Sequence, residues 1–348
     1  MRNIFILASA ILQLFVLIYM AGYRELIIHT GKTVFLRTMP VDPRDPFRGD
    51  YVSLNYEISE ISKKFLKGRI LSGKDDKYYT VLKKGEKGLY ELDYCTSERP
   101  SGNEVFIKGR YAYSWRWEPS SKNLSLKYGI EKYFVQQKKG LEIEKRAGAG
   151  NEIHVPLEVE VALGSDGTAV AKGYRWSQLG IGLQITENPT RQTGWQDGRT
   201  RAAQVNPDAK ERKSPKIKLT LENVSDKPIA LVDLPDFRSF SVVPAENSAR
   251  DWTFSKKFDS SVRPSNENVI ILKPDEKTSF DFDFAEPRWF VNGKTGPEEI
   301  GVACDQWGDM FRIIYNPPSV EDCKTLDRRD IIWHGKLPSR RFSVGRID

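Results

Sequence analysis

The chain has 348 residues, of which 39% are hydrophobic and 29% are charged, and its net charge is +7. This composition excludes an extended disordered chain and a polytopic membrane protein, and the length suggests about two domains. Three cysteines are too few for a disulfide-dense mini-domain or a four-thiolate zinc site, and three histidines argue against a His-rich metal centre. We therefore expect neither a metal site nor a cofactor.

A run of 21 residues without a charge, Asn3 to Tyr23, begins the chain, and Ser9 and Gln13 are the clearly polar residues within it. As a helix this run is about 31 Å long, close to the ~30 Å hydrocarbon core of a bilayer. We interpret residues 3–23 as an uncleaved anchor in the lipid bilayer; a cleaved signal peptide and a buried soluble helix are the alternatives. The short tail before it and the large body after it favour a periplasmic or extracellular body.

After the anchor, apolar and polar residues alternate with a period of two, which is typical of half-buried antiparallel strands. Turn sequences such as Ser165-Asp166-Gly167 separate these runs, and one weak helical pattern lies around Ile58–Leu66. The predicted fold class is mainly β, with an N-terminal transmembrane helix, a β-barrel or sandwich-like domain and an immunoglobulin-like β-sandwich. The clearest alternating runs are 34–38, 51–58, 157–163, 216–221 and 280–284.

A domain boundary is expected near residue 176, because the hairpin 157–174 closes one unit and Leu179 opens the next strand. The predicted parts are an anchor (1–24), a first β-domain (25–175) and the sandwich (176–348). The stretch 187–214 is rich in Arg, Gln, Asn, Gly and Pro and is predicted to be a mobile loop. The short, evenly spaced strands of the last part favour an immunoglobulin-like sandwich, although the antibody-type Cys…Trp…Cys spacing is absent.

The densest polar feature is the segment Met39–Tyr51, whose backbone is restricted by three prolines. Its charged side chains can form hydrogen bonds with each other and with loop amides. The segment is therefore either a rigid, ion-paired connection between strands or a fixed polar surface for a ligand, a partner or a lipid headgroup. The candidate binding residues are Asp42, Arg44, Asp45, Arg48, Asp50 and Tyr51.

The sequence Gly-Asp-Tyr-Val-Ser-Leu-Asn-Tyr at 49–56 fits the pattern that names the GDYxxLxY family. Blocks at 36–38, 128–135, 159–161 and 172–173 also resemble this family, so the resemblance covers about residues 1–175. It implies a single-span or secreted bacterial protein of unknown biochemistry, often associated with polytopic membrane proteins, and it supplies no established catalytic residue. Leu54 and Tyr56 fall on the apolar face of their strand and are expected in the core.

No pattern identifies a catalytic residue. The carboxylate pairs Asp281/Asp283 and Glu158/Glu160 could suggest a glycosidase, but each pair lies on the polar face of a strand, where solvated carboxylates are expected. The segment 38–52 faintly resembles signal peptidases but lacks the serine nucleophile at the corresponding point.

The leading hypothesis is a non-enzymatic, membrane-anchored envelope protein that binds or supports an integral membrane protein or an envelope component. The alternative is a hydrolase of envelope polymers, either glycan or peptide. An aromatic row on one strand leaves a glycan open as a partner, whereas nucleic acid is not expected. The row consists of Tyr111, Tyr113, Trp115 and Trp117.

Two cysteines of the predicted sandwich, Cys304 and Cys323, stand 19 positions apart. An exported body meets an oxidising compartment, where such a pair is free to join, so we predict a disulfide between them. Cys95 is then left as a buried thiol or as the site of a cross-link to a partner.

Overall fold

The structure is a computed structural model, and it describes residues 2–38, 51–69, 73, 76–85, 88–112, 123–134, 142–143, 146–147, 153–187, 216–244, 262–284, 290–293, 296–299 and 310–343. The fold is mainly β with an N-terminal apolar helix, which confirms the predicted class. The chain divides into a first unit, Met1–Leu141 with Leu157–Trp176, and a second unit, Glu142–Pro156 with Ser177–Asp348. The segment Glu142–Pro156 thus belongs to the second unit, which the sequence did not indicate.

The helix α1 (Arg2–Thr30) has 29 residues and continues beyond the predicted anchor. Its part Ile4–Thr30 is long and apolar enough to cross a membrane, as both an anchor and a signal sequence would be. At its end, Ile27 is buried against Ala162 and Val170. Gly31 follows at once, and a Cβ there would lie 2.4 Å from the carbonyl oxygen of Ile27, so glycine is required at this close approach.

The strands are short and are spread along the described part of the chain. In chain order they are β1 (Lys32–Arg37), β2 (Tyr51–Ser53), β3 (Glu60–Ser62), β4 (Leu66–Lys67), β5 (Lys77–Lys84), β6 (Tyr90–Thr96), β7 (Val105–Tyr111), β8 (Asn123–Lys127), β9 (Lys132–Phe134), β10 (Ile153–His154), β11 (Leu157–Leu163), β12 (Ala169–Trp176), β13 (Leu179–Glu187), β14 (Lys216–Asn223), β15 (Ile229–Val232), β16 (Phe240–Pro244), β17 (Val269–Leu272), β18 (Lys277–Asp283), β19 (Phe290–Gly293), β20 (Gly296–Glu299), β21 (Met310–Tyr315), β22 (Leu337–Pro338) and β23 (Phe342–Ser343).

The described part of the first unit contains three sheets. A six-stranded sheet has the order β3-β8-β7-β5-β6-β4, a three-stranded antiparallel sheet has the order β1-β11-β12, and β2 pairs with β9. A bridge between Phe35 and Leu89 joins β1 to the residue preceding β6, and the fold includes a nearly closed, barrel-like sheet. The buried residues Val34, Leu36 and Val159 confirm the predicted apolar faces of β1 and β11.

The helical pattern predicted at Ile58–Leu66 is wrong. The structure has the strand β3 there, flanked by 3-10 turns at Glu57–Ser59 and Lys63–Phe65. A 3-10 turn repeats every three residues, so two such turns produce apolar spacings close to those of an α-helix.

In the described part of the second unit, two four-stranded sheets share one core, to which the pair β15–β17 also contributes, and β19 pairs with β20. One sheet has the order β10-β13-β14-β18, and the other is built on β21, which pairs with β16, β22 and β23. The apolar faces of both sheets enter one cluster, which includes Leu179, Ile181, Leu219, Phe280, Phe282, Phe240, Val242, Ile313 and Tyr315. The immunoglobulin-like assignment stays a prediction, and the predicted loop 187–214 lies outside the described residues except for Glu187.

Candidate functional site

The structure gives the position of one of the six candidate binding residues: Tyr51 begins β2, opposite Phe134 of β9. The other five lie outside the described residues, and the roles predicted for them stay predictions. They are Asp42, Arg44, Asp45, Arg48 and Asp50.

The chain on either side of the segment 39–50 is fixed to the core. Before the segment, the backbone N–H and the hydroxyl of Thr38 both donate to the Leu157 carbonyl, at 2.8 and 3.0 Å. After it, Tyr56 pairs with Thr38 in an antiparallel bridge, and the N–H of Leu54 donates to the Glu131 carbonyl at 2.7 Å. The parts of the chain that flank the segment are therefore held together.

Two residues of the family motif are core residues. Leu54 and Tyr56 are 6% and 0% exposed, which confirms the expectation from their alternation. The Tyr56 hydroxyl donates to the Ile130 carbonyl at 2.9 Å. Burial, with a smaller contribution from the negative charge of Glu131, raises the pKa of Tyr56 well above its usual value, so this phenol is a neutral donor.

The family block at 128–134 forms a tight turn beside the first motif. Gly129 has a φ of +83°, in the left-handed region that favours glycine. The Glu131 carboxylate accepts hydrogen bonds from the backbone N–H groups of Tyr128 and Gly129. The buried Tyr128 hydroxyl donates to the Ile58 carbonyl and lies 2.9 Å from the Thr80 hydroxyl. The two family blocks therefore brace each other.

We expect Tyr56→Phe to lower the free energy of opening around β2 and β9 by about 1–2 kcal/mol, because it leaves the buried Ile130 carbonyl without its donor. Hydrogen–deuterium exchange of peptides from both strands measures this. The matched control is Tyr94→Phe, which removes an exposed bond to Glu104 and is expected to cost less than about 0.5 kcal/mol. Equal effects of the two variants would contradict a bracing role for Tyr56.

A charge cluster lies close to the same point; it joins the buried side chains of Arg37 and Glu158 to Arg175, which is 39% exposed. Glu158 accepts from Arg37 Nη2 at 3.0 Å and from Arg175 Nε at 2.7 Å. The side chains of Arg37 and Glu158 are 5% and 6% exposed. The guanidinium carbon of Arg175 also lies 3.9 Å from the centre of the Phe35 ring.

The expectation that Glu158 is solvated was therefore wrong. Arg37 is its partner in register on β1, and Arg175 is its partner on β12, so two cations offset the cost of burying this carboxylate. Two other carboxylates of the predicted pairs differ from Glu158 in their burial. Glu160 is half-buried, and its Oε1 lies 3.4 Å from Lys172 Nζ. Asp281 is exposed, as expected. The sequence offered one signal for this cluster: Arg37 and Glu158 are charged residues in strands whose neighbouring residues are largely apolar.

Sequence reasoning also missed an aromatic cluster of Tyr133, Tyr174 and Trp176. Tyr133 of β9 pairs with Val52 of β2, and its ring makes an edge-to-face contact with Tyr174 at 5.6 Å between ring centres. Tyr174 makes a similar contact with Trp176 at 6.0 Å. All three side chains are half-buried, which suits contact with a protein or a sugar.

The row predicted for glycan contact falls mostly beyond the described residues. Tyr111 is 9% exposed and packs in the core. Tyr113, Trp115 and Trp117 lie outside the described residues.

Within the described part of the chain, no group of three or more His, Cys, Asp and Glu side chains is arranged to hold a metal ion. His154 on β10 is 5% exposed, and its Nδ1 contacts the Ala147 carbonyl. Burial lowers the pKa of His154 to about 4, so it is a neutral core histidine near neutral pH.

Two of the three cysteines are described, Cys95 and Cys323, and both side chains are buried. Burial raises the pKa of Cys95 to about 11, which keeps its thiolate fraction small at neutral pH. Cys304 lies outside the described residues, so the disulfide between Cys304 and Cys323 stays a prediction.

The cysteines can be tested in protein taken directly from its native compartment and alkylated before reduction. We expect a Cys304–Cys323 peptide in the mass spectrum and an unmodified Cys95 that becomes alkylated only after denaturation. Alkylation of both Cys304 and Cys323 in the native protein would refute the disulfide.

Comparison with protein families identifies a matching family. Residues 13–173 match the family model described as GDYXXLXY protein. No curated protein and no solved structure matches the chain. The matched segment runs from within α1 into β12 and includes the motif tyrosines and Glu158. This segment of the chain is a member of the GDYXXLXY family.

Proposed function

We propose that the chain is a non-enzymatic, membrane-anchored envelope protein, with its body outside the cytoplasm, that binds or supports an integral membrane protein. One observation carries the proposal: the last turns of α1 pack against the first unit through Ile27. Ile27 is 3% exposed there, and Gly31 is the only residue between the helix and β1.

This junction determines how far the first unit can lie from the membrane. The 29 residues of α1 span about 43 Å, whereas the hydrocarbon core takes about 20 residues. The remaining nine or so residues extend about 13 Å, which takes the end of the helix only slightly beyond the headgroup region, whose depth is about 5–7.5 Å on each side. The first unit is held at the membrane surface without a flexible linker, a position that suits a partner in the same membrane.

The side chains of the family motif support a scaffold role. Tyr56, Tyr128 and Glu158 make their hydrogen bonds within the first unit. Together with the bridge between Thr38 and Tyr56, they hold the chain at both ends of the segment 39–50. In this proposal that segment and the aromatic cluster form the surface for the partner.

Two experiments test the proposal with the full-length chain. Protease added to intact spheroplasts is expected to digest the body, and full protection would place it in the cytoplasm. Quantitative mass spectrometry after affinity isolation from detergent is expected to show one integral membrane protein enriched with the native chain. Arg48→Ala separates the two roles of the segment: loss of that partner at unchanged stability supports a binding surface, and lower stability with the partner retained supports a brace.

A further inference from the structure

The two faces of α1 differ in polarity. With 100° of rotation per residue, Ser9 lies at about 0° and Gln13 within about 40° of the direction of Ile27. Val16 and Met20 lie within about 20° of the same direction. The polar side chains of the middle of the helix thus lie on the face that packs against the first unit at the end of the helix. We name Ser9, Gln13, Val16 and Met20 the Gln13 face.

The opposite face of the helix is aliphatic. Leu7, Ile11, Leu14 and Ile18 lie about 140–180° from Ile27 and are all exposed. Such a face is well solvated by lipid tails and needs no protein partner. The asymmetry separates a lipid-facing side from a side that carries hydrogen-bonding groups.

Gln13 is the group on the Gln13 face that most needs a partner. It is exposed on the helix and lies about 14 Å from either end of the apolar run, so its side chain does not reach the headgroups. The Ser9 hydroxyl can bond to the backbone of its own helix, but a glutamine amide has two donor hydrogens and an acceptor oxygen. In hydrocarbon these groups favour bonding to another helix.

We infer that the Gln13 face binds a transmembrane helix of a different integral membrane protein, with the Gln13 amide hydrogen-bonded across the contact. This inference rests on the proposed function, since it requires that α1 stays in the membrane, and it locates the contact within the bilayer. It places the partner helix on the side of α1 where the first unit is docked.

The same geometry disfavours a second copy of this chain as the occupant. Two copies share one topology, so their helices would pack in parallel at an axial distance of about 8–10 Å. Each would bring its own β11–β12 hairpin, which packs on Ile27, to the same height on the facing side. The two hairpins would compete for one space, whereas a helix that ends or turns at the membrane surface fits beneath the first unit.

The test uses the full-length chain in native membranes with a photo-cross-linking amino acid at Met20 or, as the control, at Ile18. We expect the Met20 probe to form an adduct with a transmembrane peptide of another protein and the Ile18 probe to label lipid. Gln13→Leu is expected to lower the adduct yield about 3- to 30-fold, the range for one lost interhelical hydrogen bond. The double variant Gln13→Leu/Leu14→Gln has the same composition as the native helix and is expected not to restore the yield.

Three results would overturn the inference: a Met20 adduct of twice the mass of the chain, equal protein labelling from both probes, or an unchanged yield in Gln13→Leu. If the Gln13→Leu variant still co-purifies with the enriched membrane protein and its cross-link yield is unchanged, the proposed function stands, but the Gln13 face is not the contact. If the native chain enriches no integral membrane protein, the proposed function itself fails.

Discussion

We expect Glu158→Ala to lower the free energy of opening of the first unit by about 3–5 kcal/mol, because it removes one partner from a buried ion pair. Glu158 bonds to both Arg37 and Arg175, and the Arg37 side chain is only 5% exposed. After the substitution, the Arg37 guanidinium loses its carboxylate in a region that water hardly reaches, whereas Arg175, whose side chain is 39% exposed, stays partly hydrated. Hydrogen–deuterium exchange of β1 and β11 in the full-length chain localises the loss to this unit.

The matched control is Glu160→Ala, two positions along the same strand. Glu160 is 33% exposed and lies 3.4 Å from Lys172, which is 27% exposed, so its pair is strongly screened by solvent. A change below about 1 kcal/mol is expected. If both variants cost the same, burial of the charge cluster would not be the source of the stability.

The strand positions of this fold can be predicted from the local sequence, because the alternation of apolar and polar residues indicates which residues face a core. The run at 157–163 became β11, and Val34 and Leu36 are buried on one face of β1. Alternation does not record what covers the other face. Glu158 is buried because Arg37, 121 residues away in the chain, and Arg175 arrive on adjacent strands.

At the candidate site, too, the contacts between residues far apart in the chain could not be predicted from the sequence. The burial of Tyr56 was predictable, but its hydrogen bond to Ile130 joins residues 74 positions apart. Tyr133 meets Tyr174 only because β9 and β12 are brought together. The segment Glu142–Pro156 joins the second unit through β10, a pairing of two residues with β13 that is too short to give a periodic signal.

Gly167→Ala is expected to cost about 2–4 kcal/mol, the sum of left-handed backbone strain and overpacking. Gly167 has a φ of +82° at the tip of the β11–β12 hairpin, and its carbonyl accepts from the Lys108 N–H at 2.8 Å. An added Cβ would lie 2.7 Å from Phe106 Cε2, a ring that packs edge to face on Tyr79. The methyl group would therefore push the hairpin away from β7, the strand that carries Lys108.

Gly102→Ala separates the two contributions, because Gly102 has a similar φ of +86° but nothing within 4 Å of an added Cβ. It should show the backbone strain alone, about 1–2 kcal/mol. Phe106→Leu in the Gly167→Ala background should recover part of the difference, since the smaller side chain can withdraw from the methyl group. Hydrogen exchange of β7 and of the hairpin measures all three variants. Equal costs for Gly167→Ala and Gly102→Ala would show that the hairpin does not need its close approach to Phe106.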